Sequence, residues 1–216
     1  MRTLVSRRYY ALMSDLMTIS ILQDQIRACR RCEGDGYPVS PPPLAGGGET
    51  ATFMVIGQAP SLSDLRNQRM YTGPAGRKLL GWLFDAGFTE EDMGSTVYLT
   101  ALTLCFPGRL PGKSTDRAPS ARERGNCRPW LDGHLAAIKP RVIIPFGKMA
   151  IDTFLPKASL DDTIGKVFEI DGVTYVPLPH SSGASTWLNA PEHQALLGAA
   201  IKRLADVRRA HMPVER

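Results

Sequence analysis

"ATFMVIGQAPSLSDLRNQRMYTGPAGRKLLGWLFDAG" (residues 51–87) reads as a strand, a turn and a helix in that order. Its first seven residues form a short apolar run ending at Gly57, the pattern of a strand buried on both faces of a parallel sheet. "AGRKLLGWLFDAG" (75–87) is helical and is closed by Gly87. "TVYLTAL" (96–102) and "RVIIPFG" (141–147) are further strands, and "KMAIDTFL" follows the latter as a helix. "KVFEIDGVTYVPLPH" (166–180) is a hairpin turning at Asp171-Gly172, with His180 ending its second arm. "ISILQDQIRACRRC" (19–32) spaces Ile19, Leu22, Ile26 and Cys29 as the apolar stripe of a helix that delivers Cys29 and Cys32 at its end. Ser120 caps a helix over "ARERGNCRPWLDGHLAAI", weakened in its middle by Gly125 and Pro129. "PEHQALLGAAIKRLADVRRA" (191–210) closes the chain as an amphipathic helix.

Strands alternating with helices predict an α/β three-layer sandwich, with a central, mostly parallel four-stranded sheet flanked by helices. The expected organisation is a single domain over 1–216, with 1–18 a flexible leader. In such sheets the ligand crevice forms beyond the carboxyl ends of the strands, which gathers Gly57, the segment after Thr100, Gly147 and His180.

At 43% hydrophobic and 22% charged residues the chain belongs to the globular class, and no apolar run is long enough to span a bilayer. The N-terminus lacks the uninterrupted apolar core of a signal peptide, so a cytoplasmic location is expected. A formal charge of +5 and a pI near 9.2 suit a polyanionic partner. Without export, the four cysteines are better read as thiolate ligands than as disulfides. Cys29 and Cys32 form a tight pair, while Cys105 and Cys127 form a wide one. That spacing admits a four-cysteine iron–sulfur cluster, a zinc site, or four unrelated thiols.

Several segments, in order, resemble the iron–sulfur uracil-DNA glycosylases. "GQAPSLSDLRNQRMYTGPAGRKLL" (57–80) runs without a gap against that family's first motif, which opens Gly-Glu-Ala-Pro. "YLTALTLCFPG" (98–108) and "NCRPWL" (126–131) are similar to its strand and two cysteine segments. "PRVIIPFGKMAIDTFL" (140–155) resembles its strand–Gly–helix, and "PLPHSSGAS" (177–185) its final His motif. The resemblance implies a [4Fe–4S] cluster on Cys29, Cys32, Cys105 and Cys127, with zinc the lesser alternative. It also implies a monomer that acts on single- or double-stranded DNA, everts a deaminated base and hydrolyses its N-glycosidic bond.

Site roles follow from that resemblance. His180 hydrogen-bonds the anion developing on the leaving base. Gln58 faces the sugar and orients water, and the backbone around Gly57 and Ala59 contacts the base. Tyr71 stacks on the base, with core packing as its alternative. Ala101 stands where the family reads the base edge, and Ser181 and Ser182 contact phosphate. Trp187, with burial against the final helix as its alternative, or Leu188 would fill the gap in the duplex, and the arginines and lysines around Arg66–Lys78 and Lys202–Arg209 would meet phosphates.

Three departures stand out. Gln58 replaces the family carboxylate, Ala101 replaces its Asn, and "HSSGAS" replaces its His-Pro opening. The substrate is therefore written as uracil or a related damaged base. The competing reading is a non-catalytic iron–sulfur protein that binds nucleic acid or senses damage on the same fold. A third is a small redox protein unconnected with DNA.

Overall fold

The computed structural model describes residues 19–44, 46–48, 50–110, 112, 115–181 and 186–212. The expected leader, 1–18, lies outside the described residues. Elements follow in the order α1 (Ile19–Ala28), α2 (Arg31–Gly34), β1 (Phe53–Gly57), α3 (Leu62–Asn67), α4 (Pro74–Asp85), β2 (Val97–Ala101) and α5 (Ala121–Ile138). Then come β3 (Val142–Pro145), α6 (Lys148–Phe154), α7 (Leu160–Thr163), β4 (Phe168–Ile170), β5 (Val173–Tyr175), a 3-10 turn (Trp187–Asn189) and α8 (Pro191–His211).

The sheet is five-stranded, ordered β2-β1-β3-β5-β4, against the expected four. Every pair is parallel except β4 with β5. The additional strand is the first arm of the expected hairpin. Asp171 and Gly172 take φ +51 and +78, the two positive values of a type I′ turn, and send β4 back along the edge.

All residues of β1, β2 and β3 are buried, because helices cover both sheet faces. Phe53, Val55, Val97, Leu99 and Ala101 pack with Leu79, Trp82 and Leu83 of α4 and Leu204 of α8. The opposite face sets Met54, Ile56 and Tyr98 against Ile19, Leu22 and Ile26 of α1 and Leu131 of α5. A helix as short as α1 is marginal alone. Its three buried side chains, worth ~1.5–3 kcal/mol each on burial, hold it in place. α5 runs unbroken through Pro129, which removes only the hydrogen bond that Gly125's carbonyl would accept.

Inside the second layer, His134 of α5 is fully buried. Its Nδ1 lies 3.3 Å from Thr100 Oγ1, and its Nε2 has no partner among the described residues. Burial lowers its pKa to about 4. The unfolded chain, with an ordinary imidazole near ~6.5, binds the proton first as pH falls. Stability is therefore complete above that value and lost toward pH 4, by on the order of 3 kcal/mol from this residue. Urea unfolding of His134→Leu across that window should show a flatter dependence on pH than wild type. An equally steep dependence would remove His134 as its source.

Candidate active site and cysteine cluster

Beyond the carboxyl ends of β1, β2 and β3 lies a cleft of about 680 Å³. Its floor and walls include Gly57, Gln58, Ala59, Tyr71, Phe146, Gly147, His180 and Ser181, so most of the expected site residues share one cavity. Gly57 and Ala101 are paired at the ends of neighbouring strands, and Ala101 is buried in the core below. Ser182 lies outside the described residues.

The turn after β1 is tied down by one carboxylate. Asp64 Oδ2 accepts from the Ser61 N–H and hydroxyl, both at 2.8 Å, in a capping box that starts α3. Its Oδ1 accepts from the Thr72 N–H at 2.6 Å and hydroxyl at 3.0 Å. Asp64 thus clamps the Gly57–Ser61 turn to the Tyr71–Thr72 segment. Tyr71 itself has φ +62, a left-handed backbone that costs a non-glycine residue energy. Gly76 accommodates it, since a Cβ there would overlap the Tyr71 backbone.

Tyr71 is more deeply set than a simple stacking platform. It is 6% exposed, its hydroxyl donates to the Thr100 carbonyl at 2.8 Å, and burial holds its phenol protonated far above the usual range. Its ring meets Phe146 edge-on at 6.2 Å. Thr100 sends its own side chain to the opposite sheet face, toward His134, and so does not replace the missing amide at Ala101. Gln58 is half-buried at the cleft, and its carbonyl accepts from the Thr103 N–H at 3.3 Å.

His180 follows β5 and stacks on Phe146, with ring centroids 5.0 Å apart and planes 25° from parallel. Gly147 adopts φ +86, and a Cβ there would press to 3.2 Å from the imidazole. Burial lowers the His180 pKa, which favours the uncharged ring at neutral pH. Phe146, which orients this ring, was not singled out from the sequence. Its place at the end of an apolar strand made it look like one more core residue.

Two of the expected contact residues have partners within the fold. Ser181 is buried and donates its hydroxyl to the Ala75 carbonyl at 2.6 Å, tying the His180 loop to α4 instead of offering that hydroxyl to phosphate. Trp187 lies flat on His193 at 4.1 Å, and its N–H donates to Asp161 at 2.7 Å, so it is engaged within the fold and not poised as a wedge. Arg208 likewise points inward, over Phe88 and 3.9 Å from Asp92.

Cys29, Cys32, Cys105 and Cys127 border a second hollow. Cys29 follows α1, Cys32 lies in α2, Cys105 follows β2 and Cys127 lies in α5. The Trp130 N–H points at Cys29 Sγ from 3.3 Å, and the Asn126 amide at Cys32 Sγ from 3.8 Å. Arg31 lies 4.9 Å over the Trp130 ring. Burial, then the neighbouring thiols, push Cys105 up to about 12, and burial does the same to Cys127. As bare thiols these would stay protonated; a bound cation is what converts such groups to thiolates. Among the described residues no three Cys, His, Asp or Glu form a group suited to a single metal ion. A common hollow with N–H donors aimed at sulfur fits a broader group ligated at its corners.

The chain is similar in sequence to several known uracil-DNA glycosylases. The chain is 28% identical over 152 residues to the type-4 uracil-DNA glycosylase of Archaeoglobus fulgidus, covering 68% of this chain and 71% of that one. It is 25% identical over 186 residues to the type-4 enzyme of Saccharolobus solfataricus, covering 82% and 81%. A type-5 uracil-DNA glycosylase of Pyrobaculum aerophilum matches at 30% over 136 residues, covering 58% and 57%. The profile of the uracil DNA glycosylase superfamily extends over residues 45–205, from the approach to β1 into α8, and the chain belongs to that superfamily.

Proposed function

We propose that this protein is a DNA glycosylase that everts a deaminated base into the 680 Å³ cleft and hydrolyses its N-glycosidic bond. The observation that carries the reading is the imidazole of His180, stacked on Phe146 and sharing one cleft with the Gly57–Ser61 turn. Breaking the bond leaves negative charge on the base and positive charge on the sugar. A preorganised N–H in a water-poor cleft stabilises the first without first having to reorient solvent. Backbone groups of Gly57 and Ala59 position the base, and the aromatic walls of Tyr71 and Phe146 enclose it. Gln58 reaches toward the sugar as an amide able to orient water. Ala101, buried at the end of β2 below the cleft, brings no amide to read the base edge, which favours a tolerant pocket. The protein would find its substrate as a net-basic molecule attracted to DNA.

Cys29, Cys32, Cys105 and Cys127 would hold a [4Fe–4S] cluster, whose contribution when bound is chiefly to join α1, α2 and α5 to the segment after β2. The Trp130 and Asn126 N–H groups would hydrogen-bond its thiolate ligands.

Incubation with oligonucleotides bearing one uracil, hypoxanthine or xanthine, followed by alkaline cleavage at abasic sites, tests the proposal. Strand breaks at the modified base are expected. Tight binding without breaks would favour the damage-sensing reading.

A further inference from the structure

We propose that Asp116 supplies the carboxylate of the reaction, activating the attacking water from the loop side of the cleft where Gln58 cannot. The assignment rests on the glycosylase reading above. Water must reach C1′ while the sugar is cationic, and a nearby carboxylate both accepts the water's proton and stabilises the cation. An amide does neither.

Two carboxylates line the cleft among the described residues, Asp64 and Asp116. Asp64 is 5% exposed and both oxygens are filled by Ser61 and Thr72, so it is a clamp. Asp116 differs. It stands close to the backbone N–H of Leu62, the residue next to the Gly57–Ser61 turn, and its side chain keeps 36% of its surface. A carboxylate has about four acceptor positions, so this partly exposed one has room for a water. Arg109 Nε stands 3.8 Å off, too far for a direct hydrogen bond. Arg117 next door has its guanidinium on Glu123, at 2.7 and 2.6 Å, which fixes the loop without neutralising Asp116. Burial raises the Asp116 pKa, while the Leu62 N–H and Arg109 pull it down and Asp64 adds to the rise. His180, Lys78 and Lys148 also face the cleft.

In the step, one water O–H proton passes to the Asp116 carboxylate as the water oxygen bonds to C1′. The C1′–N bond breaks, its electron pair leaves on the base, and the His180 N–H hydrogen-bonds that anion. The base then recovers a proton from solvent, which Asp116 also repays.

Single-turnover kinetics of the full chain, on whichever modified oligonucleotide the wild type cleaves, provide the test. Asp116→Asn keeps the size and shape of the side chain and removes only its charge, so the loop packing is preserved. Its rate at saturating enzyme should fall ~100-fold or more, the scale of general-base loss, with DNA affinity and melting temperature near wild type. The acid limb of the wild-type rate profile should disappear with it. Adding Gln58→Glu to this variant should restore at least ~10-fold, because a carboxylate then returns to the same cleft from the turn side. An active wild type whose Asp116→Asn variant keeps its rate, or loses it only through weakened DNA binding, overturns this assignment alone. A wild type that frees no base from any oligonucleotide removes the glycosylase reading, and this assignment with it.

Discussion

His180→Ala is expected to slow base release in a single turnover by ~10²–10³-fold while leaving DNA binding largely intact. The ring is held by its stack on Phe146 and by the close approach of Gly147, so its direction is set before substrate arrives. Because burial lowers its pKa, the wild-type rate should show no inflection at the ordinary histidine value of ~6.5. On the proposed reading, truncation removes a hydrogen-bond donor to the leaving base. His180→Gln, which keeps an N–H donor, should recover part of the loss. Activity of His180→Ala within a few-fold of wild type would take the imidazole out of the reaction.

The second large effect concerns the loop between the two wide-spaced cysteines. Arg117 donates to the Pro107 carbonyl at 3.0 Å and makes a two-bonded pair with Glu123, whose side chain is 1% exposed. The Arg117 hydrogen bonds lead the causes that pull Glu123 down to about 2. Arg117→Ala would strand that carboxylate. Removing one partner of a buried pair costs about 3–5 kcal/mol, and Arg117's own one-fifth exposure places this case near the lower end. The folded-state pKa of Glu123 lies below its unfolded value of 4.5. The pair's stabilisation is therefore present above pH 4.5 and lost as pH falls toward 2, and the deficit of Arg117→Ala in denaturant unfolding should shrink over that range. Arg117→Ala/Glu123→Gln should regain part of the deficit. If the single variant unfolds at the same denaturant concentration as wild type, the pair does not anchor the loop.

How far the sequence spoke for this structure varies by element. β1, β2 and β3 were legible because uninterrupted apolar runs of strand length are what a sheet covered on both faces requires. The Asp171-Gly172 turn was legible because its two residues tolerate positive φ. α3 was left within the turn after Gly57: it is short, and what starts it is the Ser61–Asp64 capping box, not an apolar stripe. The cysteines and His180 were legible through motif resemblance, and the structure brings the thiols to one hollow and His180 to the cleft. Asp116 and Phe146 were not. Their importance lies in which distant segment they face, Leu62 for one and His180 for the other, and no local spacing encodes that. Trp187 was open between a wedge and packing on the last helix, because an aromatic in a Ser/Gly-rich loop suits either, and its stack on His193 and bond to Asp161 show the packing.

Everything functional here depends on a cavity at the strand ends receiving a nucleobase. A crystal structure of the protein with duplex DNA carrying a hydrolysis-resistant deoxyuridine analogue would examine this most directly. The base should lie outside the helix, against Tyr71 and Phe146, with an imidazole nitrogen of His180 at hydrogen-bonding distance from one of its oxygens. A base still stacked in the duplex, with the imidazole directed elsewhere, would contradict the account.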